Sequence, residues 1–132
     1  MILVLRTDTD RATIKLMNFD GERLSDDQWT SGRKLSGELL NRIKQALAKS
    51  EATWSDLTGI IVYLGPGSFT GLRIGAAVAN TIAYAQEVPI VGTRGEMWLS
   101  RGLQRLKQGE NDKQVIPYYG AEANITRPNA SA

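Results

Sequence analysis

Hydrophobic positions change period several times along the chain, and each period predicts an element. Ile2–Leu5 is a continuous apolar run, the pattern of a strand buried on both faces. Asp8-Thr9-Asp10 supplies turn chemistry. Ala12, Ile14 and Leu16 then alternate with Thr13 and Lys15, which predicts a half-buried strand. Asp20-Gly21 marks a hairpin, and a weaker strand runs on to about Trp29. From Lys34 to about Lys49 the spacing lengthens: Leu35, Leu39, Ile43 and Leu47 recur every four residues, with Leu40 beside them, an amphipathic helix. Gly59–Leu64 is a second apolar strand. A glycine-rich loop follows it, then a helix over about 70–85. Val88–Val91 is a short strand broken by Pro89, and a third helix is predicted over Gly95–Leu106.

The resulting order, βββαβαβα, predicts a mixed α/β sheet with helices packed on it. A meander leading into α-β-α-β is also the order of the ribonuclease-H/actin-like (ASKHA) fold. That likeness concerns topology and carries no function by itself. Residues 1–107 read as one such lobe and 108–132 as a polar C-terminal tail, with a second lobe absent. Within the tail, Ile116-Pro117-Tyr118-Tyr119 is the one patch with an ordered pattern.

Composition narrows the chemistry. The 132 residues contain no Cys and no His, which removes disulfides, thiolate metal sites, His-based triads and the commonest general base. A formal net charge of +2 is too small to imply nucleic-acid binding. No stretch approaches the ~20 apolar residues that span a bilayer, and the start lacks a signal peptide's pattern. The expectation is a cytoplasmic protein with no membrane partner.

Residues 65–75 read Gly65-Pro66-Gly67-Ser68-Phe69-Thr70-Gly71-Leu72-Arg73-Ile74-Gly75. Glycines between a strand and a helix suggest a backbone in conformations other residues resist. Pro66 pushes Gly65 toward an extended conformation, and Ser68 or Thr70 can cap the helix. Amide groups opening a helix can bind a phosphate. The string nevertheless lacks the Gly-Lys-Ser/Thr of a P-loop, and Thr70 stands where a dinucleotide loop has its third glycine. The plainer reading is a tight strand-to-helix turn.

The whole string closely resembles the signature of the bacterial TsaB (YeaZ) family. Ile2-Leu3-Val4-Leu5-Arg6-Thr7 resembles that family's opening strand, and Val88-Pro89-Ile90-Val91-Gly92 its strand after the signature helix. Ile116-Pro117-Tyr118 with Ile125-Thr126-Arg127 faintly resembles its closing segment. The resemblance implies an actin-like lobe and a non-catalytic scaffold role in forming threonylcarbamoyladenosine at position 37 of tRNA. It implies binding to TsaD, which carries the metal site, and to the ATPase TsaE through the complex. ATP and metal are then expected on the partner subunits, with no cofactor on this chain alone and tRNA contacted indirectly. The chain departs from the family pattern at Arg6-Thr7, where relatives usually have Asp-Thr, and in lacking a His early in the first helix. It also lacks the usual second lobe, which a natural minimal form or a fragment would both explain. An Arg at that point would repel Mg²⁺.

The helix over 70–85 is apolar almost all round, so it should be buried on more than one side. Gly75, Ala76, Ala79 and Ala83 share one face by spacing. Either the helix over 34–49 covers that face within the chain, or a partner does. The family resemblance, whose members use these two helices to dimerise or to bind TsaD, points to a partner interface of Leu35, Leu39, Ile43, Leu72, Gly75, Ala76, Ala79 and Ala83. A charge at Ala76 or Ala79 is then expected to break the complex without unfolding the domain. Arg94, Arg101 and Arg105 share one face of the third helix. That is the pattern of a tRNA backbone contact or of a solvated basic face. Met97, Trp98, Leu99 and Leu106 read as core, and Asp8 with Asp10 as solvated turn residues. Two other functions stay open beside the scaffold: a degenerate nucleotide-binding domain using the loop, and a free-standing homodimeric interaction module.

Overall fold

The computed structural model describes residues 1–117. Five strands form one sheet: β1 (Ile2–Arg6), β2 (Arg11–Met17), β3 (Arg23–Thr30), β4 (Gly59–Tyr63) and β5 (Ile90–Thr93). Three helices accompany them: α1 (Leu35–Lys49), α2 (Phe69–Gln86) and α3 (Trp98–Lys107). The sheet order is β3-β2-β1-β4-β5. β1, β2 and β3 pair antiparallel as a meander, whereas β4 lies parallel to β1 and β5 parallel to β4. The parallel pairs need crossover helices, and α2 supplies the one between β4 and β5. This mixed sheet with its helices is the ribonuclease-H/actin-like lobe that the element order predicts.

Side-chain alternation along β1 divides the core in two. Leu3 and Leu5 face α1 and α2, together with Ile14, Ile60, Val62 and Ile90. Ile2 and Val4 face the other way, with Ile61, Val91, Trp98 and Leu106 beneath α3. Successive strand residues point to opposite faces, so a strand covered by helices on both sides must be apolar throughout. Gly102 brings α3 close to the sheet, since a Cβ there would stand 2.5 Å from Ile61 Cγ2. β3 is an edge strand and carries Arg23, Asp26 and Asp27, charges that discourage strand addition from outside.

The bounds of β5, α3 and α2 differ most from the sequence expectation. β5 begins at Ile90, because Pro89 has no N–H to donate; its carbonyl still accepts from the Ile60 N–H at 3.0 Å. α3 begins at Trp98, because Gly95 adopts φ +80, outside the helical region, and donates its N–H to the Gly65 carbonyl. Arg94 therefore precedes α3. α2 runs from Phe69 to Gln86, longer than the expected 70–85. At the Asp20-Gly21 hairpin, Gly21 takes φ +91 and its N–H bonds to the Asn18 carbonyl, as expected of that turn. No helix among the described residues is long and apolar enough to cross a membrane. Tyr118, Tyr119 and the segment Ile125-Thr126-Arg127 lie outside the described residues.

Candidate functional site

The glycine-rich loop packs on the end of β1. Thr7 and Asp8 form its seat. The Ser68 N–H donates to the Asp8 carbonyl at 2.8 Å, and the Thr7 hydroxyl donates to the Gly71 carbonyl at 2.8 Å. A Cβ at Gly67 would fall 2.3 Å from Asp8 Cβ, and one at Gly71 2.1 Å from the Thr7 carbonyl oxygen. At Gly75 it would fall 2.3 Å from Thr7 Oγ1. The spacing of these glycines is thus the footprint of the Thr7-Asp8 turn on the loop and the first turns of α2. Gly65 has φ +122, so the extended conformation expected before Pro66 is corrected to one that favours glycine. Ser68 holds the N-cap position of α2 without a side-chain cap bond. The Tyr63 hydroxyl donates to the Pro66 carbonyl at 2.7 Å and ties the loop down at its other end. These contacts support the tight-turn reading of the loop.

Arg6 occupies the centre of this junction. Its Nε and Nη2 donate to the two carboxylate oxygens of Asp8 at 2.9 and 3.2 Å. Its guanidinium carbon lies 4.1 Å from the centroid of the Tyr63 ring and 5.8 Å from that of Trp98. The hydrogen bond to Asp8 holds the Arg6 pKa above its ordinary value. Burial pushes the Tyr63 phenol up, and the nearby Arg6 charge partly opposes that shift. Tyr63 and Trp98 meet edge to face with centroids 5.4 Å apart. Asp8 is therefore a buried, ion-paired residue, which corrects its expected place as a solvated turn residue; Asp10 is exposed, as expected.

A divalent cation with its nucleotide does not fit these residues. Both oxygens of Asp8 are held by a guanidinium, and a second positive charge would be repelled by it. Among the described residues, no group of three or more acidic side chains is placed to hold a metal.

The expected partner interface is corrected. Leu35, Leu39, Ile43, Leu72, Gly75, Ala76, Ala79 and Ala83 are all buried within the single chain. Ala76, Ala79 and Ala83 pack in one core cluster with Leu35, Leu39 and Ile43, so α1 covers the small-residue face of α2 from inside. Leu39, Ile43, Leu72 and Ala79 have no accessible surface for a partner, and Leu35, Ala76 and Ala83 keep only a few per cent. What the two helices leave outside is a different set: Leu40 is 53% exposed and Tyr84 88% exposed, with Ala77 and Thr81 between them. Leu40, Ser36, Ala77, Val78 and Thr81 line a shallow, mostly apolar groove where α1 meets α2. Leu40 was visible in sequence beside the stripe, but its direction depends on how α1 rolls against the sheet. Of the signature residues, Pro66, Gly67, Ser68, Phe69, Thr70 and Arg73 are exposed, and the Arg73 guanidinium lies 5.4 Å from the Phe69 ring centroid.

Arg94, Arg101 and Arg105 do line one concavity, between the end of β5 and α3. Arg101 Nη2 donates to the Arg94 carbonyl. Arg105 is corrected as a phosphate contact: it is paired with Glu110 and Asp112, and its Nη1 donates to the Gly92 carbonyl at 3.0 Å. Trp98 and Leu106 are core as expected and Leu99 packs against them, but Met97 is exposed.

The family model described as TsaD: tRNA N6-adenosine threonylcarbamoyltransferase matches residues 30–96, just over half of the chain. The tRNA threonylcarbamoyladenosine biosynthesis protein TsaB of Escherichia coli K12 is 30% identical over 104 residues, covering 79% of this chain and 44% of that protein. Its counterpart in Haemophilus influenzae is 27% identical over 110 residues, covering 83% of this chain and 46% of the relative. A solved Pseudomonas aeruginosa structure, described as an uncharacterized protein with similarity to peptidase YEAZ, superposes with a TM-score of 0.67 at 25% identity. It covers 82% of this chain and 49% of its own. YeaZ from the same organism gives 0.65 at 24% identity, again covering 82% and 49%, a likeness of fold. The chain thus spans less than half the length of the TsaB relatives it matches. On the family model and these relatives together, the chain belongs to the TsaD threonylcarbamoyltransferase family, on its TsaB (YeaZ) branch.

Proposed function

We propose that this chain is a non-catalytic subunit in the synthesis of threonylcarbamoyladenosine at position 37 of tRNA, and that it acts by binding a TsaD-type partner. The observation that carries the non-catalytic half is the Arg6–Asp8 pair: the one buried carboxylate at the loop junction is neutralised, and a guanidinium fills the space over Tyr63. A scaffold tolerates that arrangement, whereas Mg-nucleotide chemistry at the same place does not. ATP and metal then belong to the partner subunits, TsaE joins through the complex, and tRNA reaches this chain only indirectly.

The partner-binding half rests on family membership and on the exposed outer face of α1 and α2, centred on Leu40, Ala77, Thr81 and Tyr84. Large apolar side chains exposed next to a shallow groove suit an interface core. The same face would serve a homodimer. Light scattering on a sizing column, with this chain alone and then mixed with TsaD from the same source, tests the reading. A stable one-to-one or two-to-two complex is expected, and Leu40→Glu should weaken it at least tenfold while leaving the fold intact. A wild-type chain that stays separate from a folded TsaD would overturn the reading. Micromolar binding of Mg-ATP by the isolated chain would instead favour a nucleotide-binding domain.

A further inference from the structure

Charge is spread unevenly over this chain. Residues 32–50 and 69–86, which include α1 and α2, contain the cations Arg33, Lys34, Arg42, Lys44, Lys49 and Arg73 and one acid, Glu38. Their net charge by count is +5, in a chain whose formal net charge is +2. The remainder of the chain is therefore acidic on balance. Glu38 and Arg42 are engaged inside the lobe. Glu38 accepts from Trp29 Nε1 at 3.3 Å, and Arg42 lies 3.9 Å from Asp27 with its guanidinium 4.7 Å from the Trp29 ring centroid. These contacts fasten β3 to α1. The other five cations are exposed, and among the described residues none has an acid within ion-pair distance.

Helical spacing places two of the five beside the apolar groove. Ser36 and Leu40 line it from α1, and Lys44 stands one turn further along the same face. Ala77 and Thr81 line it from α2, and Arg73 stands one turn earlier. Arg73 also borders a second concavity of about 450 Å³, with Thr70, Ile74, Ala77 and the exposed Ile116 in its lining. Ala77 is common to both hollows, so they form one surface across α2. No carboxylate lies within it. Glu51 and Glu87 stand just past the ends of α1 and α2, and Glu87 shares its concavity with Lys113.

On the reading that the outer face of α1 and α2 binds a partner, we infer that this partner presents carboxylates around an apolar centre, and that the basic rim selects it over a second copy of this chain. Apolar area does not discriminate, because Leu40 and Tyr84 suit either occupant. Charge does. A two-fold contact uses the same patch on both subunits, so it would gather Lys44 and Arg73 of both copies about one centre, like charge against like. An acidic rim converts each of those repulsions into an attraction. The charges are exposed, so they act mainly on the rate of encounter and are screened by salt. Salt therefore acts with opposite sign on the two assemblies. It weakens the complex with an acidic partner and removes the obstacle to pairing of two copies.

The test measures binding of the full chain to TsaD from the same source, and the mass of the chain alone by light scattering, from about 0.05 to about 0.5 M NaCl. The association rate with TsaD should fall roughly tenfold over that range. The chain alone should be monomeric at low salt. Lys44→Glu combined with Arg73→Glu should weaken the complex roughly tenfold or more at low salt and less at high salt, whereas Lys44→Arg with Arg73→Lys should stay within about twofold of wild type. A complex that forms but ignores both salt and charge reversal overturns the acidic partner and leaves the docking face standing. Absence of any complex with a folded TsaD overturns the docking face itself. A dimer of the chain alone at low salt overturns the selection against a second copy. If the charge-reversed variant does not fold, the salt series on the wild-type complex decides, and a rate that does not fall overturns the proposal.

Discussion

Gly71 lies so close to Thr7 that a Cβ on it would stand 2.1 Å from the Thr7 carbonyl oxygen. The obstacle is backbone, which cannot swing aside as a flexible side-chain tip would. Gly71→Ala must therefore push α2 away from the end of β1, or break the Thr7–Gly71 bond of 2.8 Å. A loss of about 1–3 kcal/mol is expected, the usual cost of overpacking. A fall in the urea midpoint at unchanged slope would show it. A variant as stable as wild type would mean that the loop does not depend on this contact.

Arg6 stabilises Asp8 and covers Tyr63 at the same time. Arg6→Ala leaves the Asp8 carboxylate without its guanidinium partner in a mostly buried place. The expected destabilisation is about 1–2 kcal/mol, reduced from that of a fully buried pair because the Arg6 side chain is 40% exposed. Arg6→Lys should recover only part of it, since an ammonium cannot reproduce the two-pronged contact. Denaturation of the three proteins side by side gives the order.

The Tyr63 phenol is held above its ordinary pKa of 10.0 by burial. The unfolded chain releases that proton near the ordinary value, and the folded chain at higher pH. Its contribution to stability is thus fully present below about pH 10 and is lost as pH rises through the folded value. Stability measured from pH 8 upward should fall past pH 10, and Tyr63→Phe should flatten part of that fall. The same slope in the variant would assign the fall to other groups.

Ala79 and Leu40 separate core from surface on the paired helices. Ala79 has no exposed area, so Ala79→Asp buries an unpaired carboxylate and should cost several kcal/mol or prevent folding. Leu40→Glu replaces an exposed apolar side chain and should change stability by less than about 0.5 kcal/mol. Circular-dichroism melts of the two variants test the assignment directly. An Ala79→Asp variant that folds normally would reopen the small-residue face as a surface.

Ile2–Leu5, the Ala12/Ile14/Leu16 alternation, the Leu35/Leu39/Ile43/Leu47 stripe and the string from Gly65 to Gly75 were each readable without a structure. Local periodicity and backbone preference act within one element, and the sequence displays both. From them follow the strands, the three helices, the actin-like lobe and the family to which it belongs. The partners of each face were not readable. Gly75, Ala76 and Ala79 announce a close approach, but the same spacing admits Thr7 and α1 as readily as a second protein. Only the packed fold assigned them to the core and left Leu40 and Tyr84 outside. Likewise nothing local says that Arg6 reaches Asp8, that Gly67 and Gly71 seat on the Thr7-Asp8 turn, or that the Asn111 and Asp112 side chains fold back to accept from the Ile90 and Gly92 N–H groups. These contacts join residues distant along the chain, or depend on side-chain directions set by distant packing. Sequence therefore determined which segments become helix and strand, whereas tertiary structure decided which surfaces remain for a partner, because exposure depends on everything packed around a residue.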